Sequence, residues 1–209
     1  MSRPQLLQLA IPLVQTYGFT RAALSHSVFR LPKPHSEQLS DSAVTALFGE
    51  GNDARKTLID AWLEDARQHM RASPSPTIKA ILTQRLKQNE PVLQFLPEAF
   101  ALLASPTNGL PPLDPLPALK HAGSVADEAC HIVGEHNIGL AWYSRRATLG
   151  AVYAAAELHQ LNSPSTVYDF LESLLDSSGK VESALQDAGT FAGYIGRSWA
   201  GIIKSRGPF

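Results

Sequence analysis

The chain has 209 residues, 44% apolar and 18% charged, which is enough apolar material for a packed core and excludes a mostly disordered chain. Its 18 Lys and Arg against 19 Asp and Glu give a net charge of −1, which argues against a globally basic nucleic-acid binder. A lone cysteine, Cys130, excludes an internal disulfide or a Cys-rich zinc site, and no uninterrupted apolar run reaches the ~18 residues of a spanning helix.

The opening residues enter an amphipathic pattern almost at once, without the layout of a signal peptide. Leu6, Leu9, Leu13 and Tyr17 recur at helical spacing, Pro12 predicts a kink, and Gly18 a stop. A short helix follows over 21–28. Pro32 and Pro34 break the chain, and Ser40 caps a third short helix, Asp41–Phe48. A longer helix runs from Asp53 to about Ala72, with Leu58, Trp62, Leu63, Ala66 and Met70 on one side. The next spans 77–88. Another starts near Pro91, carries Val92, Leu96, Phe100 and Leu103, and is expected to bend at Pro97. Five prolines make 105–117 the longest non-helical stretch. Helical patterns then cover 118–134, 140–161, 166–175 and 181–204. No strand alternation persists beyond four residues. The pattern predicts an all-α protein of about nine or ten helices.

Three segments suggest themselves: 1–52, 53–179 and 180–209. The first pairs helix, Gly18-Phe19-Thr20, helix, turn and short helix with Phe48-Gly49 and a long helix. Over residues 4–70 this order resembles the DNA-binding end of TetR-type regulators. The charges disagree with DNA binding. Residues 1–52 hold Arg3, Arg21, Arg30 and Lys33 against Glu37, Asp41 and Glu50, and phosphate neutralisation supplies most DNA affinity. Helix 41–48 offers no Arg, Lys, Asn or Gln to reach a base edge. The unit reads as a degenerate helix-turn-helix, with no nucleic acid as partner.

The densest motif is Ala141-Trp142-Tyr143-Ser144-Arg145-Arg146-Ala147-Thr148-Leu149, continued by Ala151-Val152-Tyr153, Glu157-Leu158 and Thr166-Val167-Tyr168-Asp169-Phe170-Leu171. It resembles the eukaryotic ubiquinone-biosynthesis accessory family known as Coq nine. The chain order resembles that family nearly throughout, most densely at 138–175. The resemblance implies a TetR-like fold and homodimer, no catalysis and no cofactor. It also implies an apolar cavity for an isoprenoid lipid or quinone intermediate. The implied partner is the di-iron hydroxylase acting on demethoxy-ubiquinone, and the implied place is the matrix side of the mitochondrial inner membrane, reached by a terminal helix. Gly139 stands where the family pattern has an acidic residue before the Trp-Tyr pair, and a mitochondrial presequence is missing.

Candidate sites follow. On one helix, Leu140, Tyr143, Ala147, Ala151, Ala154, Leu158 and Leu161 form a stripe expected to be core; Trp142, Arg146, Leu149 and Tyr153 share the other, less buried face. Trp142, Tyr143 and Arg146 are the partner-binding candidates, and snorkelling of Trp142 over Arg146 is the plainer reading. Arg145 and Arg146 suit a lipid head group or acidic partner, or a solvated surface. Phe95, Leu96, Phe100, Leu103, Leu149 and Tyr153 are candidates to line a lipid cavity, although an ordinary core stripe has the same pattern. Phe191, Tyr194, Ile195, Arg197, Trp199, Ile202, Ile203 and Lys204 fit either a helix lying in an anionic membrane surface or one docked on its own core.

Two other readings stay open. A TetR-type regulator with an apolar effector needs helix 41–48 to bind DNA. A di-iron enzyme needs more than the single Glu128-x-x-His131 pair, because such sites use two copies and two further Glu. No metal site is expected.

Overall fold

The computed structural model describes residues 2–72, 77–105, 113–135 and 139–181. The membrane-facing candidates from Phe191 to Lys204 lie outside the described residues. Within the described residues every regular element is helical. The helices are α1 (Arg3–Ala10), α2 (Val14–Tyr17), α3 (Arg21–His26), α4 (Asp41–Phe48), α5 (Asn52–Gln68), α6 (Ile78–Lys87), α7 (Leu96–Ala104), α8 (Leu116–Val133), α9 (Leu140–Asn162) and α10 (Val167–Val181). The protein is all-α, as its apolar spacing predicts. None of the described helices is long and apolar enough to cross a membrane.

The chain folds as two compact units that interleave in sequence: 1–66 with 91–102, and 67–90 with 103–209.

In the first unit, Pro12 replaces one α-helical turn by the 3₁₀ turn Ile11–Leu13, which separates α1 from α2. Gly18 ends α2 at φ +65 and ψ −169, a region essentially reserved for glycine. A β-carbon there would also meet the Phe95 ring at 3.0 Å. Gly18→Ala is therefore expected to lower the unfolding free energy of the full chain by about 2–3 kcal/mol in urea melts. Thr20 next caps α3, its hydroxyl accepting from the Ala23 N–H. Phe19 turns into the core and meets Trp62 of α5 edge to face at 5.6 Å. The helix expected to run through Pro97 does not do so. A 3₁₀ segment, Glu90–Phe95, leads to α7, and Pro97 sits in its first turn, where its missing N–H leaves no bond unmade.

The second unit packs α6, α8, α9 and α10 around Ile81, Leu82, Leu86, Val125, Val152, Tyr153, Val167 and Leu171. Lone apolar stripes thereby become one shared interior. Helix α10 continues past 175, where the pattern suggested an end, to Val181.

Candidate functional site

Helices α8 and α9 run as a close pair because small residues face each other. A β-carbon on Gly150 would stand 3.5 Å from the Ala122 carbonyl oxygen, so the backbones approach to ordinary contact distance. Gly134 closes α8 in the left-handed region at φ +74, and the Glu135 N–H reaches back to the Cys130 carbonyl. That turn aims the Glu135 carboxylate at Arg145, whose Nε and Nη2 donate to it at 3.0–3.3 Å. Burial pushes the Glu135 carboxyl up, but the Arg145 hydrogen bond and charge reverse this and hold it below its usual value.

At the start of α9 stands the aromatic platform. The Arg146 guanidinium lies 3.9 Å from the Trp142 ring centroid, and its Nε donates to Asp127 of α8 at 2.6 Å. Trp142 is thus fixed from behind by a cation that is itself anchored. Tyr143 meets the Trp142 ring edge to face at 4.8 Å and is 67% exposed. The outcome is an ordered aromatic surface flanked by the Arg145–Glu135 and Arg146–Asp127 pairs.

Here the structure corrects the assignment of faces on α9. Tyr143 and Ala147, expected in the core stripe, are exposed. The face expected to be less buried carries Leu149 and Tyr153, both fully buried. The reason is the shape of the α8 contact. Helix α9 turns the Trp142–Arg146–Leu149–Tyr153 line toward its neighbours, and the Tyr143–Ala147 line leaves them over the first two turns. Further along, Ala154 and Leu158 are buried as well, since α9 is covered on several sides there.

The lipid-lining candidates are spread over both units. Phe95 packs on Gly18, and Leu96 and Phe100 are buried, all in the first unit. Leu103 is buried in the second unit; Leu149 clusters with Ala126 and Cys130, and Tyr153 with the main core.

A group the spacing did not single out is polar and buried. The Tyr153 hydroxyl donates to Glu157 at 2.6 Å. Asn89 donates to Glu157 at 3.2 Å and to Gln160 at 3.0 Å, and Arg85 donates to Asn89 at 2.6 Å. His121 Nε2 lies 3.3 Å from the Glu157 carboxylate. Burial pushes the Glu157 carboxyl up, but the charge and hydrogen bond of His121, the Arg85 charge and the Tyr153 hydroxyl more than reverse it, to about 2. Arg85 among the apolar residues of α6 was the available signal, because a buried Arg is rarely tolerated without partners.

Glu128 takes a structural role in this geometry. It is buried, accepting from Arg67 and, at 2.6 Å, from Arg71 Nε. Among the described residues no group of three or more His, Cys, Asp or Glu is placed to hold a metal ion. Cys130 is fully buried. Burial and the Glu135 charge raise its thiol to about 11, against the lowering charges of Arg146 and Arg145. At pH 8 a soluble disulfide reagent is expected to label native Cys130 at least about a hundredfold more slowly than the urea-unfolded chain.

Comparison with known proteins bears on these helices. The COQ9 family model matches residues 116–182, the span of α8, α9 and α10. The ubiquinone biosynthesis protein COQ9, mitochondrial, of Bos taurus is 25% identical over 191 residues, which cover 83% of this chain and 56% of the bovine one. The Schizosaccharomyces pombe protein of the same name is 23% identical over 151 residues, covering 69% and 58%. The chain spans a little over half the length of these curated relatives.

Proposed function

Because this chain belongs to the COQ9 family, we propose that it serves ubiquinone biosynthesis as a non-catalytic lipid-binding protein of the mitochondrion. It acts as a homodimer at the matrix side of the inner membrane. It takes up an isoprenoid quinone intermediate and presents it to the di-iron demethoxy-ubiquinone hydroxylase, which supplies the redox chemistry. The observation that carries this reading is the Trp142–Tyr143–Arg146 platform, which lies within the matched residues 116–182. An exposed tyrosine held by a second ring and an anchored arginine has the make-up of an interface anchor. Burial of prenyl carbons at roughly 25 cal/mol per Å² supplies the affinity for the lipid tail. The segment 181–204, whose apolar spacing suits an amphipathic helix and which carries Phe191, Trp199 and Lys204, holds the protein at the membrane surface in this reading.

The regulator reading has less support. Arg21 donates to the Asp41 carboxylate at 2.7 Å, to the Asp41 carbonyl and to the Thr45 hydroxyl. A cation of α3 is thereby tied up by the acid that opens the would-be recognition helix, which leaves less positive charge for DNA phosphates.

Native mass spectrometry of gently purified protein, with affinity capture of the hydroxylase, tests the proposal. Co-purifying isoprenoid lipid and a captured hydroxylase are expected. A lipid-free protein that captures no hydroxylase overturns it.

A further inference from the structure

The first unit carries an exposed ring ladder on its α2–α3 side. Tyr17 stacks on His26 at 4.7 Å and 19°, and the Phe29 ring meets His26 edge to face at 5.6 Å. His26 is held in place by a 2.8 Å bond between its Nδ1 and the Ala22 carbonyl oxygen. Tyr17 is 37% and Phe29 39% exposed, unusual for rings that the fold could have turned inward.

The chain leaves this ladder through an exposed loop. A helix-turn-helix joins its two helices by a turn of about 3–4 residues; here residues 31–40 intervene between the 3₁₀ segment Ser27–Arg30 and α4. The loop is tightly closed, since the Val28 carbonyl accepts from both the Leu31 and His35 N–H groups and Leu39 bonds back to Ser25. Arg30, Pro32, Lys33, Pro34 and His35 are all exposed on it. From Tyr17 to Ser36 there is no acidic residue. The exposed rings and the exposed Arg30 and Lys33 thus lie within one stretch, Tyr17–Ser36, that carries no acid.

We propose that this edge is a second docking surface for an anionic lipid bilayer, with Phe29 and Tyr17 seated at the headgroup level and Arg30 and Lys33 on lipid phosphates. Tyr17, an apolar ring with a polar hydroxyl, favours that depth, Phe29 adds apolar area at the headgroup boundary, and each cation near an anionic leaflet adds attraction. Nucleobase stacking suits the edge less well. Such stacking needs open ring faces, and the Tyr17 and His26 rings already stack on each other. The inference is independent of the terminal helix and of lipid carriage.

Co-sedimentation of the full chain with phosphatidylcholine vesicles, with and without phosphatidylglycerol, tests it. The wild-type chain is expected to favour the anionic vesicles. F29S/R30Q/K33Q is expected to lower that partitioning by at least about tenfold with an unchanged melting profile, because separate contacts with one surface multiply in the partition coefficient. R30Q/K33Q keeps the ring ladder and is expected to reduce the preference for anionic over neutral vesicles relative to wild type, a readout that stands even if the triple variant folds poorly. Wild-type partitioning by both variants overturns the proposal. So does a wild-type chain indifferent to lipid charge, or one that binds a single-stranded oligonucleotide through these residues and not the vesicles. Residues 191–204 are unchanged in every arm, so wild-type partitioning by both variants leaves their proposed role standing.

Discussion

Glu157→Ala is expected to cost about 3–5 kcal/mol of unfolding free energy, the range for removing one partner of a buried charge cluster. The carboxylate accepts from Tyr153 and Asn89 and faces His121, and Arg85 is one hydrogen bond further away through Asn89. Removing it leaves a buried arginine and a buried tyrosine hydroxyl without their counterpart in a low-dielectric interior. Urea unfolding of both chains at neutral pH measures the difference. The same group fixes an acid dependence. The folded carboxyl titrates at about 2, below its ordinary 4.5, so its contribution is fully present above about 4.5 and is lost as pH falls through about 2. That depression corresponds to about 3 kcal/mol. The stability of the wild-type chain should therefore fall between those limits more steeply than that of Glu157→Ala. Parallel pH profiles, or a cost under about 1 kcal/mol at neutral pH, would show that the network contributes little.

The second large effect concerns partner binding. Under the proposed function, Tyr143→Ala is expected to weaken capture of the hydroxylase by about 30-fold or more, the scale of an aromatic anchor. Stability should stay within about 0.5 kcal/mol of wild type, because two thirds of the side chain is already in solvent. Arg146→Ala should weaken capture too, for a different reason. It removes the cation 3.9 Å from the Trp142 ring and the bond to Asp127, so the platform loses its support while Tyr143 remains. Titration calorimetry with the purified hydroxylase separates the two. Unchanged affinity in Tyr143→Ala would move the docking surface elsewhere.

These outcomes depend on which side of α9 faces inward, a point on which sequence and structure part company. The spacing of Leu149, Tyr153 and their neighbours identifies a helix, but α9 is apolar along two lines. The Leu140–Tyr143–Ala147 line is the one expected to be core, yet the Leu149–Tyr153 line is apolar too, and spacing alone does not rank the two. Packing against α8 decides it, because the Gly150–Ala122 approach turns Leu149 and Tyr153 inward and leaves Tyr143 outside. Gly139 caps α9 at φ +66 and ψ −137, a conformation that side chains other than glycine rarely adopt.

Local signals written in adjacent residues were legible from the chain alone. The Ser40 cap of α4, the Gly18 stop, the break at Pro12 and the all-helical class follow from backbone preferences and 3.6-residue spacing. So did the motif around Trp142 and Tyr143 that pointed to the family, now supported by the match over 116–182. Only the tertiary structure could decide which residues far apart in sequence meet. Arg85 and Asn89 join Glu157 and Gln160 across about 70 positions, and residues 91–102 join a unit otherwise built from 1–66. Helical spacing fixes where side chains point around their own axis; the rotation and pairing of whole helices are set by the packing of all of them together.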